Sequence, residues 1–580
     1  MTRLISKMAI YVWGLVGIVV FYIAMLGVGI WAGTKQKNHG EEEVMLAGRS
    51  IGTVVGFLTL IATWVGGAYI NGTAEVMFTT GLAWCQVPIG YSLSIILAML
   101  LFVRQMREAR YVTMLDPMQQ KYGSQVGGLL YIPALCGDVF WTGSILNALG
   151  SSLVVILDID SRISVIASAV FAAAYTIVGG FYSVSYTDVL QLILIVIGLL
   201  LSVPFAYQNE AVSKNVLSST NWVGKVERAD LGEWFDSLLL LIFGGIPWQG
   251  YFQRIFSMKT TKSAQILSVV SFFGCVIMAF PPAFIGIVAK STDWANVEGF
   301  RRNVSDSEGE IILPLVLRYL TPNWVSFFGL GAISAAVMSS ADASILSSSS
   351  MFSRNIYKAA FRPKAGDREM LWVLRISVMV IATLGAITAL TVGSVYYLSY
   401  LCADLIYVIL FPQLLLIIHW AQGVNTYGCL ASYFIGLFLR VLGGEKRLGI
   451  PAVIKFPYYD EVTETQKFPF KTLCMFCALS AHLLVSTAAR LLFEHRYIEA
   501  DKWDVLKAFP HLKSRNTDTE FRKGFDEISM SGTYKGTEKV GIVNTAAVTE
   551  KIGIVNTAVV TDSTDDIKNS IETKKDYSTS

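Results

Sequence analysis

Of 580 residues, 53% are apolar and only 15% are Asp, Glu, Lys or Arg, against roughly a quarter charged in soluble domains; the mean hydropathy is +0.53. This excludes a soluble enzyme, and a net charge of +3 from 46 basic and 43 acidic residues leaves no concentrated basic face for nucleic acid. The composition predicts an all-α polytopic membrane protein whose partners lie in or across the bilayer.

A span needs about 20 mostly apolar residues. Thirteen segments qualify in chain order: 9–33, 51–79, 82–103, 127–157, 162–179, 188–207, 235–256, 265–290, 325–352, 370–392, 395–418, 423–441 and 471–493. The first is too long for a signal peptide and lacks a small-residue cleavage site, so it reads as a retained helix. Segments 34–50, 104–125, 253–264 and 353–369 hold Lys35, Lys37, Arg49, Arg104, Arg107, Arg110, Lys121, Arg254, Lys259, Lys262, Arg354, Lys358, Arg362, Lys364 and Arg368. Short loops rich in Lys and Arg face the cytoplasm. Odd parity then predicts an outside N-terminus and a cytoplasmic C-terminus. The sequon Asn303-Val304-Ser305 falls in an outer segment, so Asn303 is the expected glycosylation site, whereas Asn71-Gly72-Thr73 lies within a span.

The second span contains Ala62-Thr63-Trp64-Val65-Gly66-Gly67 and the seventh Gly244-Gly245-Ile246-Pro247-Trp248-Gln249. Glycine pairs and proline interrupt the helical ladder, which at membrane depth is tolerated only inside protein or beside a cavity. Two such spans, five apart, fit an inverted repeat of five helices plus five. The ninth span carries a run of serines around Ser339 and Ser340, with Asp342 among them. Carboxylates at this depth are costly and usually functional, so Asp188 and Asp342 are candidate ion-binding groups. For Asp138 and Asp404, ion binding and a structural hydrogen bond both stay open. Hydroxyls, carbonyls and a carboxylate without a His or Cys cluster suit a hard cation such as sodium.

The seven cysteines sit in apolar stretches and read as unpaired thiols; Cys474 and Cys477 have no second ligand pair nearby. Beyond about residue 494 the chain turns polar and cannot bury enough apolar surface to order itself. This tail holds two copies of a repeat with a twelve-residue period, matching at 541–549 and 553–561, too few for a solenoid. The expected organisation is 1–50 as extracellular N-terminus, first helix and cytoplasmic loop, and 51–441 as transport core, divided into 51–234 and 235–441. An outer loop and last helix follow at 442–493, then a disordered cytoplasmic tail at 494–580.

The stretches ATWVGGAYINGTAE (62–75), PIGYSLS (88–94), YVTMLDP (111–117), GGIPWQGYFQR (244–254) and GLGAISAAVMSSADASILSSSSMFSRNIY (329–357) closely resemble the sodium/solute symporter family, above all its choline-transporting branch, from about residue 9 to 490. The resemblance implies a leucine-transporter-like five-plus-five inverted repeat with one extra helix before and two after. It implies choline uptake driven by sodium and dependent on chloride, whose site is unassigned, with choline supplied for acetylcholine synthesis. It places the chain in the cell membrane of presynaptic terminals and in synaptic vesicles. Carried over by position, the sodium site would use the carbonyls of Ala62, Val65 and Ala336 with the hydroxyls of Ser339 and Ser340. A second sodium site in some relatives matches Asp188, but its serine is Ala343 here, so Asp342 or another group would have to supply the missing oxygen or take a coupling role. The substrate matches are Trp64, Tyr91, Trp141 and Trp248. A quaternary ammonium donates no N–H bond, and aromatic faces attract it through their quadrupole. Trafficking adaptors on the tail and a homo-oligomer complete the expected partners.

Overall fold

A backbone in lipid has to satisfy its own N–H and C=O groups, which apolar runs do by forming helices. The computed structural model describes residues 11–34, 41–157, 159–178, 180–219, 221–510 and 512. The tail repeat, Lys35 and Lys37 lie outside these residues. The principal helices are α1 (Val12–Gly33), α2 (Thr53–Trp64), α3 (Gly67–Thr79), α4 (Val87–Ala98), α5 (Ser124–Leu157), α6 (Ser161–Val178), α7 (Phe181–Gln208) and α8 (Leu231–Gly244). They continue with α9 (Gln249–Ser257), α10 (Thr261–Lys290), α11 (Asn323–Met351), α12 (Asp367–Thr391), α13 (Val395–Leu405), α14 (Phe411–Trp420), α15 (Thr426–Leu442) and α16 (Phe470–Glu494). Among the described residues the only sheet is a two-stranded antiparallel pair, Tyr459–Asp460 with Thr465–Gln466, between α15 and α16.

Nine helical runs among the described residues are long and apolar enough to cross a bilayer, and the bent pair α2–α3 makes a tenth. The other three predicted segments are helical but short or interrupted. α6 has 18 residues, α15 has 17, and α8 is separated from α9 by Gly245–Trp248. A length criterion passes over two short helices and one broken span, which accounts for ten against thirteen.

Both breaks fall where the glycine doublets predict them. α2 stops at Trp64; Val65 (φ −83°, ψ 55°) and Gly66 (φ −93°, ψ −172°) leave the helical region, and α3 departs at 46°. Gly66 is required by proximity, since a Cβ there would stand 1.4 Å from Ser340 Oγ. On the other side, α8 ends at Gly244 and Trp248 is extended (φ −121°, ψ 120°) before α9 begins.

α11 lies against α1, α5 and α7 and is buried along nearly its whole length. Three of its serines turn back on their own helix: Ser334 donates to Leu330 O at 3.1 Å, Ser347 to Ser344 O at 3.0 Å and Ser350 to Leu346 O at 2.7 Å. α15 and α16 pack on each other. One loop charge needs correcting: Arg254 is not a surface cation of 253–264 but lies in the last turn of α9 with no solvent exposure. Asn71 is likewise buried, donating to Ala148 O at 3.2 Å, while Asn303 is exposed.

Candidate functional site

Each break presents a tryptophan to the interior. Trp64 closes α2 and Trp248 precedes α9, while Tyr91 comes from the first turns of α4 and Trp141 from the middle of α5. Their rings form a closed circuit. Centroids are 6.5 Å apart for Trp64–Tyr91, 6.0 Å for Tyr91–Trp141, 6.2 Å for Trp141–Trp248 and 6.5 Å for Trp248–Trp64. All four side chains are at most 6% exposed. The Tyr91 hydroxyl donates to Ser399 O at 2.6 Å and meets Cys402 Sγ at 3.0 Å, which ties its polar end to α13. With Gly245, the rings line a cavity of about 10 Å³ that no charged side chain borders. That is room for about one water molecule, so a larger cation enters only as the rings separate.

A helix end leaves its last carbonyls without intrahelical donors, and here that end is covered by α11. Ala62, Val65, Ala336, Ser339 and Ser340 are all completely buried where the break meets α11. Ser340 Oγ donates to Thr63 O at 3.1 Å, and a Cβ on Gly66 would lie 3.3 Å from Ala336 O. Carbonyl and hydroxyl oxygens therefore converge in one dry place, the donor set a hard monovalent cation uses. Ser339 donates at 2.6 Å to Oδ1 of Asp188, a carboxylate that also accepts from Thr59 of α2.

Asp188 is buried and fully engaged. Besides Ser339, it accepts from the Thr59 hydroxyl and from Arg254 Nη2 at 3.1 Å, and neither partner of the ion pair is exposed. Its charge is thus already countered by an internal cation. Asp342 stands apart from the serine pair: its Oδ1 accepts from Thr176 of α6 at 2.9 Å and its Oδ2 has no partner among the described residues. Ala343 is buried and brings no oxygen. Asp404 accepts from Arg440 Nε at 2.8 and 2.7 Å, a structural ion pair extended by Glu445 at 2.8 Å. Asp138 is buried with Oδ2 unpartnered among the described residues. Sequence reasoning missed Arg254. The signal available was its position six residues after Trp248, close enough to stay within the span.

The profile of the sodium:solute symporter family matches residues 44–436. The chain belongs to the sodium:solute symporter family. It is accordingly a sodium-coupled membrane transporter and not an enzyme. Among the relatives this symporter resembles is the high-affinity choline transporter 1 of Drosophila melanogaster, 52% identical over 485 residues, covering 83% of this chain and 79% of that protein. The high affinity choline transporter 1 of Homo sapiens is 50% identical over 504 residues, covering 84% and 87%. A Na+-coupled sialic acid symporter solved substrate-bound and outward-open superposes with a TM-score of 0.65 at 15% identity, over 82% of this chain and 98% of that one. At such identity the likeness speaks for the fold alone, which is the leucine-transporter-like arrangement that the family resemblance implies.

Proposed function

We propose that this symporter carries choline into the cell by alternating access, driven by sodium, with the quaternary ammonium held among Trp64, Tyr91, Trp141 and Trp248. The closed circuit of four rings without a charged neighbour carries the reading. A trimethylammonium group has no N–H to donate, and a desolvated aromatic face contributes up to about 2 kcal/mol to a cation above it. The choline transporters among its relatives support the same substrate.

Sodium is assigned to the carbonyls of Ala62, Val65 and Ala336 with the hydroxyls of Ser339 and Ser340. Trp64 belongs to the same break as Ala62 and Val65, so cation and substrate bias one hinge, and that shared hinge is the coupling. Asp188 and Asp342 are assigned to positioning and coupling around it. Chloride dependence, supply of choline for acetylcholine synthesis, presynaptic and vesicular location, an outside N-terminus with a cytoplasmic C-terminus, and a glycan on Asn303 belong to the same reading.

The test is labelled choline uptake into vesicles holding the purified chain, with and without an inward sodium gradient. Competition by the neutral analogue in which carbon replaces the ammonium nitrogen is measured alongside. Sodium-stimulated uptake that the neutral analogue fails to block supports the assignment. Equal competition by that analogue reduces the ring circuit to an apolar pocket and overturns cation recognition.

A further inference from the structure

On the membrane face that carries the basic loops, a separate cavity of about 400 Å³ opens, with a lining that shares no residue with the aromatic one and is opposite to it in chemistry. Arg49, Arg107, Arg110 and Lys259 line it, with Glu108 as the single lining carboxylate and Thr260 on its rim. The nearby acids have partners: Glu108 pairs with Arg104 at 3.2 Å, and Glu42 with Arg49. Arg107, Arg110 and Lys259 therefore line the cleft without an ion-pair partner among the described residues, beside an Arg49 whose charge is shared with Glu42.

The wall is built rather than incidental. Arg49 Nη2 donates to the carbonyls of Arg110 at 2.9 Å and Tyr111 at 3.0 Å, holding the chain after Glu108 in place. Arg107 donates to Met258 O at 2.5 Å, next to Lys259, and is only 8% exposed. Its Nε nonetheless has no partner among the described residues, a buried donor that normally costs free energy to leave unmade. The mouth of α10 adds to this. Thr260 is its N-cap, its hydroxyl accepting from Ser263 N at 3.1 Å, and no acidic residue sits in the first turn. The positive end of a 30-residue helix and its leading N–H groups are thus left facing the cavity rim.

We propose that this cleft is a binding site for a phosphate-monoester anion, of the kind a phosphoinositide headgroup or a soluble inositol phosphate presents. Arg107 supplies the buried donor, Arg110 and Lys259 the outer charges, and the α10 terminus the backbone N–H groups. Its place at the ends of two membrane helices suits a ligand delivered from the lipid surface, where each added cation contributes to attraction for anionic headgroups.

The experiment uses the purified full chain in uncharged detergent and a fluorescent short-chain phosphatidylinositol bisphosphate at 0.15 M KCl. Saturable binding is expected, with affinity falling at least about tenfold in Arg110→Gln/Lys259→Gln, both positions being exposed and removable without opening the core. Lys259→Arg is expected to bind like the parent. Water-soluble inositol trisphosphate distinguishes the source: competition at concentrations equal to the lipid's assigns the site to soluble phosphates, and competition only in at least about tenfold excess assigns it to a lipid headgroup, whose acyl chains add membrane affinity. Absence of binding by the parent chain, or equal binding by the double variant, overturns the proposal. The assay contains no choline and no sodium gradient, so its failure leaves the transport reading standing.

Discussion

Arg254 donates to Asp188 across 3.1 Å with neither side chain exposed, joining α9 to α7 in the driest part of the protein. Because Asp188 also accepts from Thr59 and Ser339, four helices meet at one carboxylate: α2, α7, α9 and α11. The break that carries Trp64 is therefore tied to the break that carries Trp248 through a single charge pair.

Removing one member of this pair leaves a bare buried charge, which costs roughly 3–5 kcal/mol. Arg254→Gln and Asp188→Asn are each expected to lower the melting temperature of the detergent-purified protein markedly. The double variant is expected to recover much of the loss. A double variant no more stable than the worse single one would show that the ion pair is not what holds these helices.

Losing one face of the ring circuit is expected to be plainly measurable. Trp64→Ala or Trp248→Ala should weaken choline affinity at least about tenfold, since ~1.4 kcal/mol is a factor of ten and one cation–π contact reaches about 2 kcal/mol. Trp248→Phe should lose less. Saturation binding on purified protein reads both, and a Phe variant as weak as the Ala variant would point to ring area alone.

Sodium dependence is expected to move with the serines. Ser339→Ala/Ser340→Ala should raise the sodium concentration for half-maximal uptake by about tenfold or more, the loss of about 1.5 kcal/mol per bond to a charged group. Surface expression is measured in parallel. An unchanged sodium response in protein that reaches the surface would remove both hydroxyls from the site.

Gly66→Ala is expected to abolish uptake, because its Cβ would overlap Ser340 Oγ at 1.4 Å and push α11 off the break. Gly27→Ala, where a Cβ meets nothing within 4 Å, should transport normally. Uptake at parental rate in Gly66→Ala would show that the close approach is dispensable.

Asp116 gives a pH prediction outside the spans. Burial alone would raise its carboxyl, but Arg354, the amides of Val112 and Thr113, and the side chains of Thr113 and Asn355 outweigh this and hold it below its ordinary value. A depressed carboxylate stabilises fully above its unfolded value of about 3.9 and loses that contribution as pH falls through the lower, folded value. The stability gap between parent and Asp116→Asn should thus stay flat from pH 8 to 5 and narrow only below about 4. Narrowing already near pH 6, read by thermal melting, would contradict the depressed value.

What could be read in advance follows from the range of the physics involved. The breaks at Gly66 and Gly245–Trp248 were legible because glycine and proline act locally. The four rings come from positions 64, 91, 141 and 248, and no local pattern joins them; only their resemblance to a known family did. Arg254 was hidden because a charge at the end of an apolar run looks like a loop cation until tertiary packing buries it. Asp342 is legible as a buried carboxylate beside the serine pair, but its bond with Thr176 is a matter of direction around α11 that spacing along the chain does not convey. The tail repeat lies outside the described residues.

The inward-turned serines of α11 have a mechanical consequence. Ser334, Ser347 and Ser350 spend their hydroxyls on their own helix, so at these positions neighbouring helices meet α11 without hydrogen bonds that must be broken to move. Shifting such a neighbour exchanges dispersion contacts worth about 0.1–0.2 kcal/mol each for others like them. With small side chains along much of its buried length, α11 offers a low-friction bearing, and its cross-helix bonds, among them Ser339 to Asp188, Ser340 to Thr63, Thr176 to Asp342 and the Thr142–Ser344 hydroxyl pair, act as the latch on it.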